Sequence, residues 1–67
     1  MTMFAQRLKE LRLENKLSQN QLAKQLGISQ AAINKWEKCI IVPTLDSAVV
    51  VAKFFGVSVD YLAGLED

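Results

Sequence analysis

A chain of 67 residues, 51% of them apolar and with a net charge of +1, has room for one domain around one small core. One cysteine and no histidine exclude an intramolecular disulfide, an ordinary zinc site and the Cys-His and Ser-His pairs of nucleophilic enzymes. No stretch is long and apolar enough to span a membrane, and Arg7, Lys9 and Glu10 break the first apolar run, so neither a membrane span nor a signal peptide is expected.

The periodicity predicts helices throughout. The first runs from about Met3 to Glu14, with Phe4, Leu8 and Leu11 as its buried stripe. Ser18 is placed to cap a second helix, with Gln21 three residues on at capping-box spacing. Leu22, Ala23 and Leu26 share one face of that helix. Gly27 follows where a helix needs a left-handed residue to stop. Ile28 is expected to turn back to the core, and Ser29 to cap a third helix from about Gln30 to Lys38. Ile33 and Trp36 supply its buried face. Cys39, Ile40, Ile41 and Val42 then form an apolar run outside any helix. Pro43 ends this loop, and Thr44 caps a fourth helix with Asp46 in its first turn. Leu45, Val49, Ala52 and Phe55 are its expected buried face. Gly56 ends it, and Ser58 caps a short fifth helix with Asp60 in its first turn. There is no internal repeat, low-complexity segment or linker, so the reading is a single domain over 1–67. The tail from Gly64 to Asp67 fits a terminus or a cut before a second domain.

Residues 18–38 thus read as helix, tight turn, helix. Ala23 and Gly27 are small and four apart, which lets the two helices approach closely at a steep angle. Such a helix-turn-helix places its second helix in a DNA major groove. The motif resembles that of the lambda-repressor-like, or Xre/Cro, family of small all-α DNA-binding domains. RLKELR at 7–12 is similar to the family's first helix, and LSQNQLAKQLGIS at 17–29 to its second helix and turn. Trp36-Glu37 is similar to the end of its third. Pro43-Thr44-Leu45 through Ala52, Gly56-Val57-Ser58 and Tyr61-Leu62 resemble its fourth and fifth. The resemblance covers about 5–64 and implies a compact five-helix domain in a bacterial cytoplasm or a phage-infected cell. Two departures stand out. Cys39 occupies a place where the family usually has Gly or Asn, and Ile40 and Ile41 one where basic or polar residues are common.

Charge divides along the chain. Residues 1–45 carry seven basic and three acidic side chains, a net +4; residues 46–67 carry one and four, a net −3. The basic part contains the helix-turn-helix, which suits a phosphate backbone. Gln30 and Ala31 lead the third helix, and Asn34 and Lys35 lie one turn on, away from Ile33 and Trp36. Gln and Asn amides suit the adenine edge, Lys the guanine acceptors and Ala a thymine methyl. The resemblance implies base contacts at these same four positions. The alternative is an ordinary polar helix face. Ser18 and Gln19 stand at a helix N-terminus, where free N–H groups attract phosphate. The resemblance implies that Gln19 touches phosphate and braces Gln30; for Ser18, plain capping is the competing role. Asn15, Lys16, Lys24 and Lys38 are further phosphate candidates by charge or amide alone.

The resemblance also implies a semi-buried structural salt bridge between Arg12 and Glu37. The apolar residues Ile40, Ile41, Val50 and Phe54 have three readings: a dimer patch, a loop folded inward to enlarge the core, or an altered sequence carrying core-directed or oligomerising residues. Together these readings describe a sequence-specific binder of double-stranded DNA. It is expected to act as a transcriptional repressor or controller, a homodimer on a two-fold symmetric operator, without cofactor or metal and not as an enzyme. The alternative is a protein-interaction module, such as an antitoxin, using the apolar patch on a protein partner.

Overall fold

Local signals place five helices: α1 (Phe4–Glu14), α2 (Gln19–Leu26), α3 (Gln30–Glu37), α4 (Leu45–Phe55) and α5 (Val59–Ala63). The computed structural model describes residues 3–66, and no strand occurs among them. Asp67, part of the acidic tail, lies outside the described residues. The predicted caps form. Ser18 Oγ accepts from the Gln21 N–H at 3.0 Å while Gln21 Oε1 accepts from the Ser18 N–H at 2.8 Å, a complete capping box. Ser29, Thr44 and Ser58 each accept from the N–H three residues on. Gly27 stops α2 at φ 71°, a conformation that costs a residue with a Cβ about 1–2 kcal/mol.

Two helices stop in the same left-handed conformation without a glycine. After α1, Lys16 has φ 57°, and the Leu17 N–H returns to the Arg12 carbonyl at 3.0 Å. After α3, Cys39 has φ 60°, and the Ile40 N–H returns to the Lys35 carbonyl at 2.9 Å. Cys39 is exposed, so little packing holds it there. Cys39→Gly should therefore raise stability by about 0.5–1 kcal/mol in denaturant melts, since relief of strain exceeds the added chain entropy of glycine. An unchanged or lowered midpoint would contradict this account of the α3 stop.

Leu8, Leu22, Ile33 and Leu62 are fully buried at the centre, each stabilising the fold by about 1.5–3 kcal/mol. α3 packs against both α1 and α2, and α4 meets α2 and α5. Phe4 at the start of α1 meets Trp36 at the end of α3 edge to face, with ring centroids 5.8 Å apart. The recognition-helix candidate is thus fixed along its inner side by two elements of the fold, α1 and α2.

Helix α4 differs from expectation. Its buried residues are Ala48, Val51 and Ala52, with Val49 and Phe55 half-buried, whereas Leu45 is 70% exposed. Helical period fixes the side on which Leu45 lies, not whether a neighbouring helix reaches its turn. The loop before α4 also departs from one of its readings. Ile40, Ile41 and Val42 remain exposed, and only Pro43 is buried, so this loop does not enlarge the core.

Candidate nucleic-acid interface

The α2–turn–α3 unit positions the candidate residues. Burial of Ile33 and Trp36 leaves Gln30, Ala31 and Lys35 exposed on the other side of α3. Asn34 is half-buried and donates from Nδ2 to Gln19 Oε1 at 3.3 Å. Gln19 in turn donates from Nε2 to Glu37 Oε1 at 3.2 Å. Gln19 therefore braces Asn34 and the end of α3, and it makes no hydrogen bond to Gln30 among the described residues. The Glu37 carboxylate, 95% buried at its side chain, is a strong acceptor for the Gln19 amide.

Glu37 is held from the other side by Arg12. Arg12 Nε donates to Glu37 Oε2 at 2.8 Å and Nη2 to Oε1 at 3.0 Å, a two-pronged pair. Arg12 Nη1 also donates to the Leu17 carbonyl at 2.9 Å, just before α2 begins. One guanidinium thus joins the end of α1, the entry to α2 and the end of α3. Sequence spacing alone pointed to neither the Leu17 contact nor the part played by Gln19.

The phosphate candidates divide by what their side chains already do. Ser18 is engaged in the capping box, which leaves the Gln19 and Asn20 N–H groups without a partner among the described residues. Free N–H groups at a helix start suit an anion. Lys24, on α2, and Lys38, the C-cap of α3, are exposed with no side-chain partner among the described residues. Lys16 is exposed in the α1 stop, where Asn15 is committed by donating from Nδ2 to the Leu11 carbonyl at 2.7 Å. Arg7, counted above with the basic part of the chain, lies elsewhere: its guanidinium stacks 4.3 Å from the Tyr61 ring of α5 and donates to the Tyr61 carbonyl.

Residues 8–62 match the helix-turn-helix family model. The chain belongs to this family, in its lambda-repressor-like form. It is 42% identical over 65 residues to an uncharacterised helix-turn-helix transcriptional regulator of Bacillus subtilis, YobD, covering 97% of this chain and 58% of that protein. It is 41% identical over 64 residues to the helix-turn-helix transcriptional activator BcrR of Enterococcus faecalis, covering 96% of this chain and 31% of that one. An uncharacterised helix-turn-helix regulator of Methanocaldococcus jannaschii is 41% identical over 61 residues, covering 91% and 92%. The chain thus spans 58% and 31% of the length of the first two relatives. Among solved structures, the P22 c2 repressor bound to a synthetic operator matches with a TM-score of 0.87 and 28% identity, over 96% of this chain and 97% of that one.

The surface also carries large exposed apolar side chains. Ile40, Ile41, Val50 and Phe54 are 62%, 46%, 46% and 41% exposed, and Val42 and Leu45 are exposed too. Ile41, Val42 and Pro43 line a shallow apolar pocket of about 290 Å³ whose wall includes Phe4 and Trp36. Val50 borders a smaller one of about 140 Å³ with Leu26 and Ile28. Among the described residues no helix is long and apolar enough to cross a membrane.

Proposed function

We propose that the chain binds double-stranded DNA sequence-specifically as a transcriptional regulator, as a homodimer on a two-fold symmetric operator. One observation carries this reading. α3 is anchored by Ile33, Trp36 and the Arg12–Glu37 pair, so it presents Gln30, Ala31 and Lys35, with Asn34 alongside, on a rigid outer face. The P22 c2 repressor, similar in fold, is seen with a synthetic operator. Gln30, Ala31, Asn34 and Lys35 are assigned to bases. Ser18, Gln19, Lys24, Lys38 and Lys16 are assigned to phosphate, and Asn15 with them through the second N–H of its Nδ2. The activity is binding rather than catalysis, needs no cofactor or metal, and belongs in the cytoplasm.

Base and phosphate roles are separable by salt and by sequence. Gln30→Ala and Lys35→Ala should each weaken specific binding by about 1–3 kcal/mol and relax preference at particular base pairs. Lys24→Ala should weaken all sequences alike and flatten the salt dependence. Each variant is titrated on a selected duplex and on a scrambled one at several salt concentrations. Unchanged sequence preference in both the Gln30 and the Lys35 variants would place the recognition surface elsewhere.

The dimer is supported by the four exposed apolar side chains Ile40 and Ile41, in the segment that follows α3, and Val50 and Phe54, on α4. A subunit contact there would leave the outer face of α3 free for DNA. The same surface is the basis of the protein-interaction alternative.

A further inference from the structure

The hydrogen bonds around Gln19 have a direction. Glu37, held by the Arg12 guanidinium, offers two oxygens that accept and no group that donates. Its Oε1 therefore takes the nitrogen end of the Gln19 amide. That turns Gln19 Oε1 the other way, where it takes the nitrogen end of Asn34. Asn34 is pinned through Nδ2, and its Oδ1 has no hydrogen-bond partner among the described residues. The fixed charge at one end of the chain of bonds thus leaves Asn34 Oδ1 wholly open while one of the two Nδ2 N–H groups is taken.

We infer that Glu37, acting through Gln19, sets the polarity with which Asn34 meets DNA, leaving the acceptor oxygen open to the groove. The inference rests on the DNA-binding reading and deepens it. In the major groove adenine N6 and cytosine N4 donate, whereas guanine O6 and N7 and thymine O4 accept. An open Oδ1 selects adenine or cytosine on the strand that Asn34 faces. Glu37 is then a positioning residue for sequence preference as well as a partner of Arg12, though it never touches a base.

The relay can be reversed with one change. In Glu37→Gln the new amide keeps its oxygen on Arg12 Nε, the shorter contact, and turns its nitrogen to the Oε1 place beside Gln19, where the bond from Arg12 Nη2 is lost. Gln19 then turns over, gives its nitrogen to Asn34 Oδ1, and leaves Asn34 Nδ2 open as a donor. Preference at that single position should move from adenine or cytosine to guanine or thymine, by about threefold to tenfold for one hydrogen bond. Asn34→Asp added to Glu37→Gln supplies acceptors only and should restore adenine or cytosine.

The experiment selects bound sites from random duplex DNA with the wild-type chain, Asn34→Ala, Glu37→Gln, the double variant and Gln19→Leu. Asn34→Ala identifies the position by erasing its preference. Gln19→Leu leaves the Arg12–Glu37 pair intact, so it carries the test even where Glu37→Gln folds poorly; it should lower affinity for all sequences alike through the lost phosphate contact, leave that one position degenerate and keep the preference at the others. A loss of general stability would weaken every position together and could not produce a reversal at one. Retention of the wild-type preference in Gln19→Leu, or in folded Glu37→Gln, overturns the relay while the DNA-binding reading stands. A wild-type chain that selects no sequence overturns both.

Discussion

Arg12→Met should destabilise the protein by about 3–5 kcal/mol, because it leaves the Glu37 carboxylate buried without its counter-charge. The two side chains are only 10% and 5% exposed, so water cannot take the place of the lost partner. The loss also frees the Leu17 carbonyl, which Arg12 Nη1 satisfies between α1 and α2. Domains of this kind have about 5–15 kcal/mol of stability in all, so a large share would go. Glu37→Gln should cost less, since Gln keeps an acceptor for the guanidinium. The double variant should be more stable than the sum of the single losses predicts, and a double-mutant cycle in denaturant melts measures that coupling. Additive losses would show that the pair contributes nothing beyond two separate side chains. The hydrogen bond to Glu37, and secondly its charge, hold the Arg12 guanidinium above its ordinary value against an opposing effect of burial. A raised value adds stability that is fully present below the ordinary arginine range and is lost only as pH climbs past it. The arginine therefore gives the fold no pH dependence near neutrality.

On the proposed homodimer, replacing both Ile40 and Ile41 with Lys should shift the equilibrium toward monomer. One helix-turn-helix unit reads a short half-site, so specific control generally needs two units about one DNA turn apart. Burial of an isoleucine contributes about 1.5–3 kcal/mol, and two-fold symmetry counts each residue twice. Both isoleucines are exposed in the single chain, so the change removes no core packing. Two lysines facing their symmetry mates would add repulsion. Sedimentation equilibrium on both proteins reads the outcome. A wild type that stays monomeric at high micromolar concentration, or a variant that is equally dimeric, would remove the homodimer and leave this surface to a different protein partner.

Helix positions and the turn were legible in the sequence because their causes are local. Ser18 with Gln21, Ser29, Thr44 and Ser58 satisfy N–H groups within one turn of themselves. Gly27 ends α2 through its own backbone freedom. The stripe of Phe4, Leu8 and Leu11 needs only the helical period to lie on one side, and all three are buried. Family resemblance then supplied the candidate groove face, since four polar or small residues on a helix specify no partner by themselves.

Tertiary structure decided what depends on elements distant in the chain. Leu45 fits a buried stripe by period, yet no neighbouring helix covers its turn. Ile40 and Ile41 are as apolar as core residues, but the space inside is already filled by Leu8, Leu22, Ile33 and Leu62. Arg7 belongs to the basic part by sequence and to the Tyr61 face of α5 in space. Gln19 has several amide and carboxylate partners within reach of a helix start; only the packing of α1, α2 and α3 brings Arg12, Glu37 and Asn34 around it. Hydrogen bonds within a turn are fixed by the order of residues, whereas bonds between helices are chosen by whichever strong partner the packed core delivers.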